Sequence, residues 1–179
     1  DVYIFDHTLR ETGAQSLNAR SDSKAAPVNR VHCDYTAVSA PRRLLQLADE
    51  FNLAKTTDRH FAFINVWRSI DKEQPVEDLP LALCDPSSVS SGDKLVYEMQ
   101  YPERIGENFA MAFSKDHRWS YFPHMTAEEC LVFKVFEQTD ESSGADDMGF
   151  VFHTAFEDPR TPPGAPTRRS IEARCLAFF

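Results

Sequence analysis

The chain has 179 residues, enough for one domain with a sizeable core and cramped for two. Its 28 acidic against 19 basic residues leave a net charge of −9, which argues against a general nucleic-acid surface or an anionic membrane face and requires any anionic ligand to be met by locally placed cations. No run of 18 or more apolar residues and no signal-peptide pattern occur, so no membrane partner is expected.

Val2 to Phe5 reads as a strand entered directly from Asp1, which leads us to expect one domain over 1–179 that lacks an upstream segment. Residues 10–27, rich in Ser, Asn, Gly and charge, read as a mobile surface loop. The stretch Val31-His32-Cys33-Asp34-Tyr35-Thr36 reads as a strand, and Ser39 then offers an N-cap for a helix at about 40–53, with Leu44, Leu47, Ala48 and Phe51 at helical spacing. Arg42 and Arg43 at its start read as solvated charges with an anionic substrate as the alternative. Phe61 to Ile70 alternates, with Phe61, Phe63, Asn65 and Trp67 on one face; an Asn in an aromatic row calls for a partner, either a cofactor carboxylate or a backbone group. Short strands follow at Leu81 to Cys84, Leu95 to Gln100, Glu107 to Phe113 and Arg118 to Phe122. Thr126 to Glu129 offers a capping box for one helical turn, and Cys130 to Phe136 is a further strand. Asp140 to Asp147 reads as a solvated acidic turn without EF-hand spacing. Strands at Phe150 to Phe156 and about Ser170 to Phe179 close the chain. Eight or nine short strands, one clear helix and 14 Phe against 6 Gly predict a mainly β protein, a closed or sandwich-like barrel.

Cys33, Cys84, Cys130 and Cys175 lie in or beside apolar runs without C-x-x-C spacing, which predicts buried, reduced thiols and a cytoplasmic protein. His32 and Asp34 share a strand face by the period of two, which is half of a 2-His-1-carboxylate metal site; His153, in a second strand, is the candidate third ligand. Read alone, the pair serves equally well as hydrogen-bonding residues of a half-buried strand. Two imidazoles and one carboxylate around Fe(II) leave a charge of about +1, suited to a dianionic keto acid whose far carboxylate needs a cation. Arg168, with Ser170 on the same side of an extended segment, would supply it. Phe61, Phe63, Trp67, Trp119, Tyr121 and Phe156 are candidates for a substrate pocket, with plain core as the alternative.

These runs, together with Phe63-Ile64-Asn65-Val66-Trp67-Arg68, Pro80-Leu81-Ala82-Leu83-Cys84-Asp85, His117-Arg118-Trp119, Leu131-Val132-Phe133-Lys134 and His153-Thr154-Ala155-Phe156-Glu157-Asp158-Pro159, resemble a known family. It is the family of the cephamycin methoxylation hydroxylase, the gibberellin desaturase and the fungal AsaB-type hydroxylase/desaturases, and the likeness runs from residue 31 to the end. The resemblance implies an oxidoreductase on a double-stranded β-helix (a jelly-roll, cupin-like barrel) with one or two buttressing helices: an iron(II)- and 2-oxoglutarate-dependent dioxygenase of secondary metabolism that uses O₂. It implies His32, Asp34 and His153 as metal ligands, with no catalytic residue beyond the metal centre. Arg168, Ser170 and Asn65 would meet 2-oxoglutarate; Tyr35, Trp67, Trp119 and Tyr121 would meet a small, largely apolar substrate. Ser69, Ser120 and Arg169 depart from the family pattern, and the last leaves Arg169 open as an alternative to Arg168; Arg174, which shares strand parity with Ser170, is a second. The competing function is a β-barrel that binds a small ligand without turnover and uses its His and Asp structurally.

Overall fold

The computed structural model describes residues 1–15, 24–53, 59–100, 105–138 and 149–179; the expected acidic turn at 140–147 and part of the expected loop at 10–27 lie outside these. The described strands are β1 (Val2–Glu11), β2 (His32–Cys33), β3 (Phe61–Ser69), β4 (Leu81–Cys84), β5 (Lys94–Gln100), β6 (Ile105–Met111), β7 (Trp119–Tyr121), β8 (Leu131–Gln138), β9 (His153–Ala155) and β10 (Arg169–Phe178), with one α-helix, α1 (Ser39–Glu50). They form two antiparallel sheets, a four-stranded one in the order β1-β10-β3-β8 and a six-stranded one in the order β5-β6-β2-β9-β4-β7. This is the jelly roll expected from the sequence.

The inner face of the four-stranded sheet changes character along its length. At one end Phe61 and Phe63 of β3 pair in register with Phe178 and Leu176 of β10, all buried, and Phe136 of β8 packs on both phenyl rings. Each such buried aromatic or leucine side chain stabilises the fold by about 1.5–3 kcal/mol. Further along the same face Asn65 pairs with Arg174, Trp67 with Glu172 and Ser69 with Ser170, while β1 adds Arg10 opposite Ser170. One end of the barrel is therefore a packed core and the other a polar chamber.

Helix α1 buries Ala40, Leu44 and Leu47, and beyond it Phe51 packs on Tyr3. The N-cap is Val38 and not the expected Ser39, and it has no side-chain cap bond; just ahead of it the Thr36 hydroxyl accepts from the backbone N–H of Val38 (3.2 Å) and Ser39 (3.0 Å). Asn52, at φ +53°, turns the chain out of the helix, ahead of the expected end at 53. Arg42 is exposed, and Arg43 reaches Gln46 and Glu50 instead of the chamber.

Other boundaries differ from expectation for tertiary reasons. Strand β1 runs on through Arg10 and Glu11, where a loop was expected, because the ten-residue β10 supplies a ladder partner as far as Glu11↔Arg169. The strands expected around His32 and His153 shrink to two and three residues, since Asp34 and residues 149–152 leave the ladder. The backbone N–H and hydroxyl of Thr126 both donate to Glu129 Oε2, yet the segment forms a turn and not a helix. All four cysteines are free, but Cys130 is exposed, contrary to the expectation of burial.

Candidate metal centre

Strands β2 and β9 are neighbours, and their register sets His32 directly opposite His153, with ring centroids 4.4 Å apart. Asp34 follows His32 just past the end of β2, and its Oδ1 lies 3.6 Å from His32 Nε2. One ligand atom from each of His32, Asp34 and His153 lies within 4.8 Å of the other two, so residues from opposite ends of the chain share one small volume.

The outer atoms of all three side chains are already engaged. His32 Nδ1 meets the carbonyl of Arg30 at 2.8 Å and His153 Nδ1 that of Val151 at 3.2 Å. A carbonyl only accepts, so each Nδ1 carries the proton and each Nε2 presents a lone pair. Asp34 Oδ2 accepts from Asn65 Nδ2 (2.9 Å) and from Arg174 Nε (3.1 Å), which leaves Oδ1 to face the imidazoles. Burial disfavours the Asp34 carboxylate, but the Arg174 guanidinium, the two imidazoles and the Asn65 amide outweigh it and hold the carboxyl well below the usual range. His32 is pushed down to about 3, by burial first and by His153 second. A neutral His32 imidazole and an ionised Asp34 result, as a divalent transition metal requires of its ligands, and His153 turns its Nε2 toward them.

That depression has a measurable consequence. The unfolded chain takes up the His32 proton near pH 6.5 and the folded chain only near 3, so between those values the unfolded state binds more protons and stability falls as pH drops. Urea unfolding of the metal-free protein should lose on the order of a few kcal/mol across this window. His32→Asn should flatten the profile; a variant profile parallel to the wild type would contradict this assignment.

Beside the imidazoles is a small pocket bordered by Arg10, Leu81, Arg168 and Glu172. Arg168 is 3% exposed; its Nε donates to Ser170 Oγ (3.1 Å) and its Nη1 to the carbonyl of Leu79 (2.5 Å), and its guanidinium lies over the Trp67 ring at 5.1 Å. Burial, then Arg10, lowers its pKa to about 10, so it remains cationic at neutral pH. The three arginines left open by sequence have separate places. Arg169 is 45% exposed, near Glu11 and Asp71, and Arg174 is bound to Asp34, Asp6 and Glu172. Only Arg168 of the three borders the pocket.

The chamber fits an iron ion and a polar co-substrate on its own chemistry. Besides the donor set, Asn65 Oδ1 and Trp67 Nε1 are buried without a hydrogen-bond partner among the described residues. Buried polar atoms without partners are rare in stable folds and mark a place where a ligand or water completes the network.

The residues expected at the site take different places. Asn65 bonds Asp34 directly, neither of the two partners expected for it. Tyr35 stacks on Phe63 at 4.3 Å in the core, and Trp67 is buried beneath Arg168. Phe61 and Phe63 are core as well. Trp119, Tyr121 and Phe156 line a different cavity, together with Val31 and Thr154. Side chains alternate along a strand, so Thr154 points away from His153, and this cavity lies across the sheet from the imidazoles. Arg10, Glu172 and Leu79 escaped the sequence reading. Leu79 has φ +45°, a strained position that a sequence alone does not mark, and it aims its carbonyl at Arg168. The alternation of β1 was the signal for Arg10, hidden by the loop-like composition that follows it.

The Asn65 bond makes a specific prediction. Asn65→Ala should weaken Fe(II) affinity by about 10–100-fold, the usual cost of removing a partner that orients a ligand. A metal titration giving wild-type affinity would show that Arg174 suffices to fix Asp34.

A jelly roll with two histidines and a carboxylate converging inside the barrel defines a class, the non-haem metal-binding oxidoreductase scaffolds. Comparison with known proteins agrees. The family model described as oxidoreductase/YMDC permease-like domain matches residues 1–178, and the chain belongs to that family. No helix among the described residues is long and apolar enough to cross a membrane. Among curated relatives, the Fe(II)/2-oxoglutarate-dependent dioxygenase nvfI of Aspergillus novofumigatus is 31% identical over 154 residues, covering 85% of this chain and 52% of that protein. The hydroxylase/desaturase efuI of Hormonema carpetanum is 31% identical over 171 residues, covering 88% and 54%. The solved structure of the iron and alpha-ketoglutarate-dependent endoperoxidase NvfI superposes with a TM-score of 0.82 at 27% identity, over 99% of this chain and 62% of that one. The chain thus spans about half the length of the curated relatives it matches.

Proposed function

We propose that this chain carries the metal and co-substrate site of an iron(II)/2-oxoglutarate-dependent dioxygenase that hydroxylates or desaturates a small, largely apolar secondary metabolite. The observation that carries the reading is the convergence of three ligand atoms within 4.8 Å, their outer atoms tied to fixed partners. Iron(II), bound with 2-oxoglutarate and O₂, supplies the oxidation of an unactivated C–H bond. His32 Nε2, His153 Nε2 and Asp34 Oδ1 would hold the metal. Arg168, buried beside them and braced by Leu79 and Ser170, meets the far carboxylate of the keto acid, and Arg10 adds positive charge to the same pocket. Phe133, packed on the His153 ring at 4.9 Å, and Leu81 keep water from that side of the site.

Names of relatives support the substrate class: they include hydroxylase/desaturases and an aspirochlorine biosynthesis protein of Aspergillus oryzae. The net charge of −9 speaks for a small molecule over nucleic acid, and the four free thiols for the cytoplasm. Anaerobic addition of 2-oxoglutarate to the Fe(II)-loaded protein should produce a weak visible charge-transfer band. Absence of the band, with iron shown to be bound, would count against this function and favour a metal used structurally.

A further inference from the structure

The two faces of the β2-β9-β4 segment carry two different pockets. His32, His153, Leu81 and Ala155 belong to the inner one. Val31, Ala82 and Tyr121, each one residue out of step with that row, line an outer cavity of about 490 Å³ flanked by Met111 and the exposed Phe113 and Trp119, while Thr154 borders both pockets. Its walls are mostly apolar and fixed in place. Phe156 packs edge-on against Tyr121 at 4.9 Å, and the Tyr121 hydroxyl donates to Asp158, itself held by Arg160.

Besides Tyr121, the polar side chains that line this cavity are Ser120, Thr154, whose hydroxyl donates to the Ala155 carbonyl, and His117. The His117 side chain is 2% exposed, and its Nε2 lies 3.0 Å from Asp93 Oδ2. A carboxylate accepts, so Nε2 carries a proton; in the neutral imidazole Nδ1 is then an acceptor, and the described residues offer it no partner. An acceptor set in a mostly apolar wall recognises a ligand with a matching donor and discriminates against one without it.

Volume decides what kind of molecule enters. At about 490 Å³ the cavity falls in the range of small-molecule pockets, which start at about 300 Å³. We propose that this outer cavity is a second binding site, separate from the metal chamber, for a compact apolar molecule bearing one hydroxyl or N–H donor that bonds to His117.

The test is equilibrium dialysis of the full chain against 2-naphthol and, in parallel, naphthalene, which lacks the hydroxyl. One equivalent of 2-naphthol should bind, about tenfold more tightly than naphthalene. Filling the cavity with Ala112→Trp or, separately, Ser120→Trp should weaken binding at least tenfold. Both variants should give the wild-type response to Fe(II) and 2-oxoglutarate, which also shows that they fold. The proposal is overturned if 2-naphthol fails to bind the wild type, if both filled variants bind it normally, if naphthalene binds equally well, or if 2-oxoglutarate with Fe(II) displaces it.

Discussion

Alanine in place of His153 is expected to lower Fe(II) affinity by more than a hundredfold and to abolish 2-oxoglutarate turnover. Losing a partner that orients a ligand costs about 10–100-fold, and His153 would be a ligand itself, one of only three from the protein. The imidazole is 2% exposed and sits between His32 and Phe133, so the same change opens a cavity in the fold. Thermal unfolding of the metal-free protein separates the two effects. The variant should remain folded, with stability lowered by about 1–3 kcal/mol, while calorimetric titration shows the lost iron site. Iron binding retained at wild-type affinity would mean that His153 merely packs.

Arg168→Ala should raise the dissociation constant for 2-oxoglutarate by about a hundredfold or more while changing that for iron several-fold at most. Removing one member of a buried, hydrogen-bonded charge pair costs about 2–5 kcal/mol, and Arg168 lies against the pocket and not against the three ligand atoms. The variant also leaves the Leu79 carbonyl without its donor, a stability cost of about 1–3 kcal/mol. Comparison with pyruvate, which has no second carboxylate, isolates the role of the guanidinium: the preference for 2-oxoglutarate over pyruvate should collapse in the variant. Arg169→Ala, at an exposed position, should behave as wild type. Parallel loss of iron and keto-acid binding in Arg168→Ala would instead make this arginine a structural brace.

The sequence carried the metal cluster further than it carried the pocket walls. His-x-Asp survives as a local pattern because both residues belong to one short segment, and their convergence does not depend on where β2 ends. The buried row Phe61, Phe63, Asn65, Trp67 was equally legible, since β3 is flanked by β10 and β8 and its period of two is regular over nine residues. Trp119 and Tyr121 were misplaced because β7 is a three-residue edge strand: aromatic alternation says that two faces exist, but only the pairing with β4 says which one looks toward the imidazoles. The arginines show the same limit. Parity placed Arg174 on the inner face with Ser170, as found, but not at the depth of Asp34, where the guanidinium is consumed by carboxylates. Arg10 was missed because the loop-like composition after it masks the alternation of β1, and its place follows from a ladder between the two ends of the chain.

A crystal structure of the protein loaded with Mn(II), an inactive stand-in for iron(II), measures the central claim most directly. A single ion should be found with His32 Nε2, His153 Nε2 and Asp34 Oδ1 all at roughly 2.0–2.3 Å, Asp34 Oδ2 still accepting from Asn65 and Arg174. An ion bound elsewhere, or a chamber in which the two imidazoles hydrogen-bond to protein groups through Nε2 and leave the metal unbound, would contradict it.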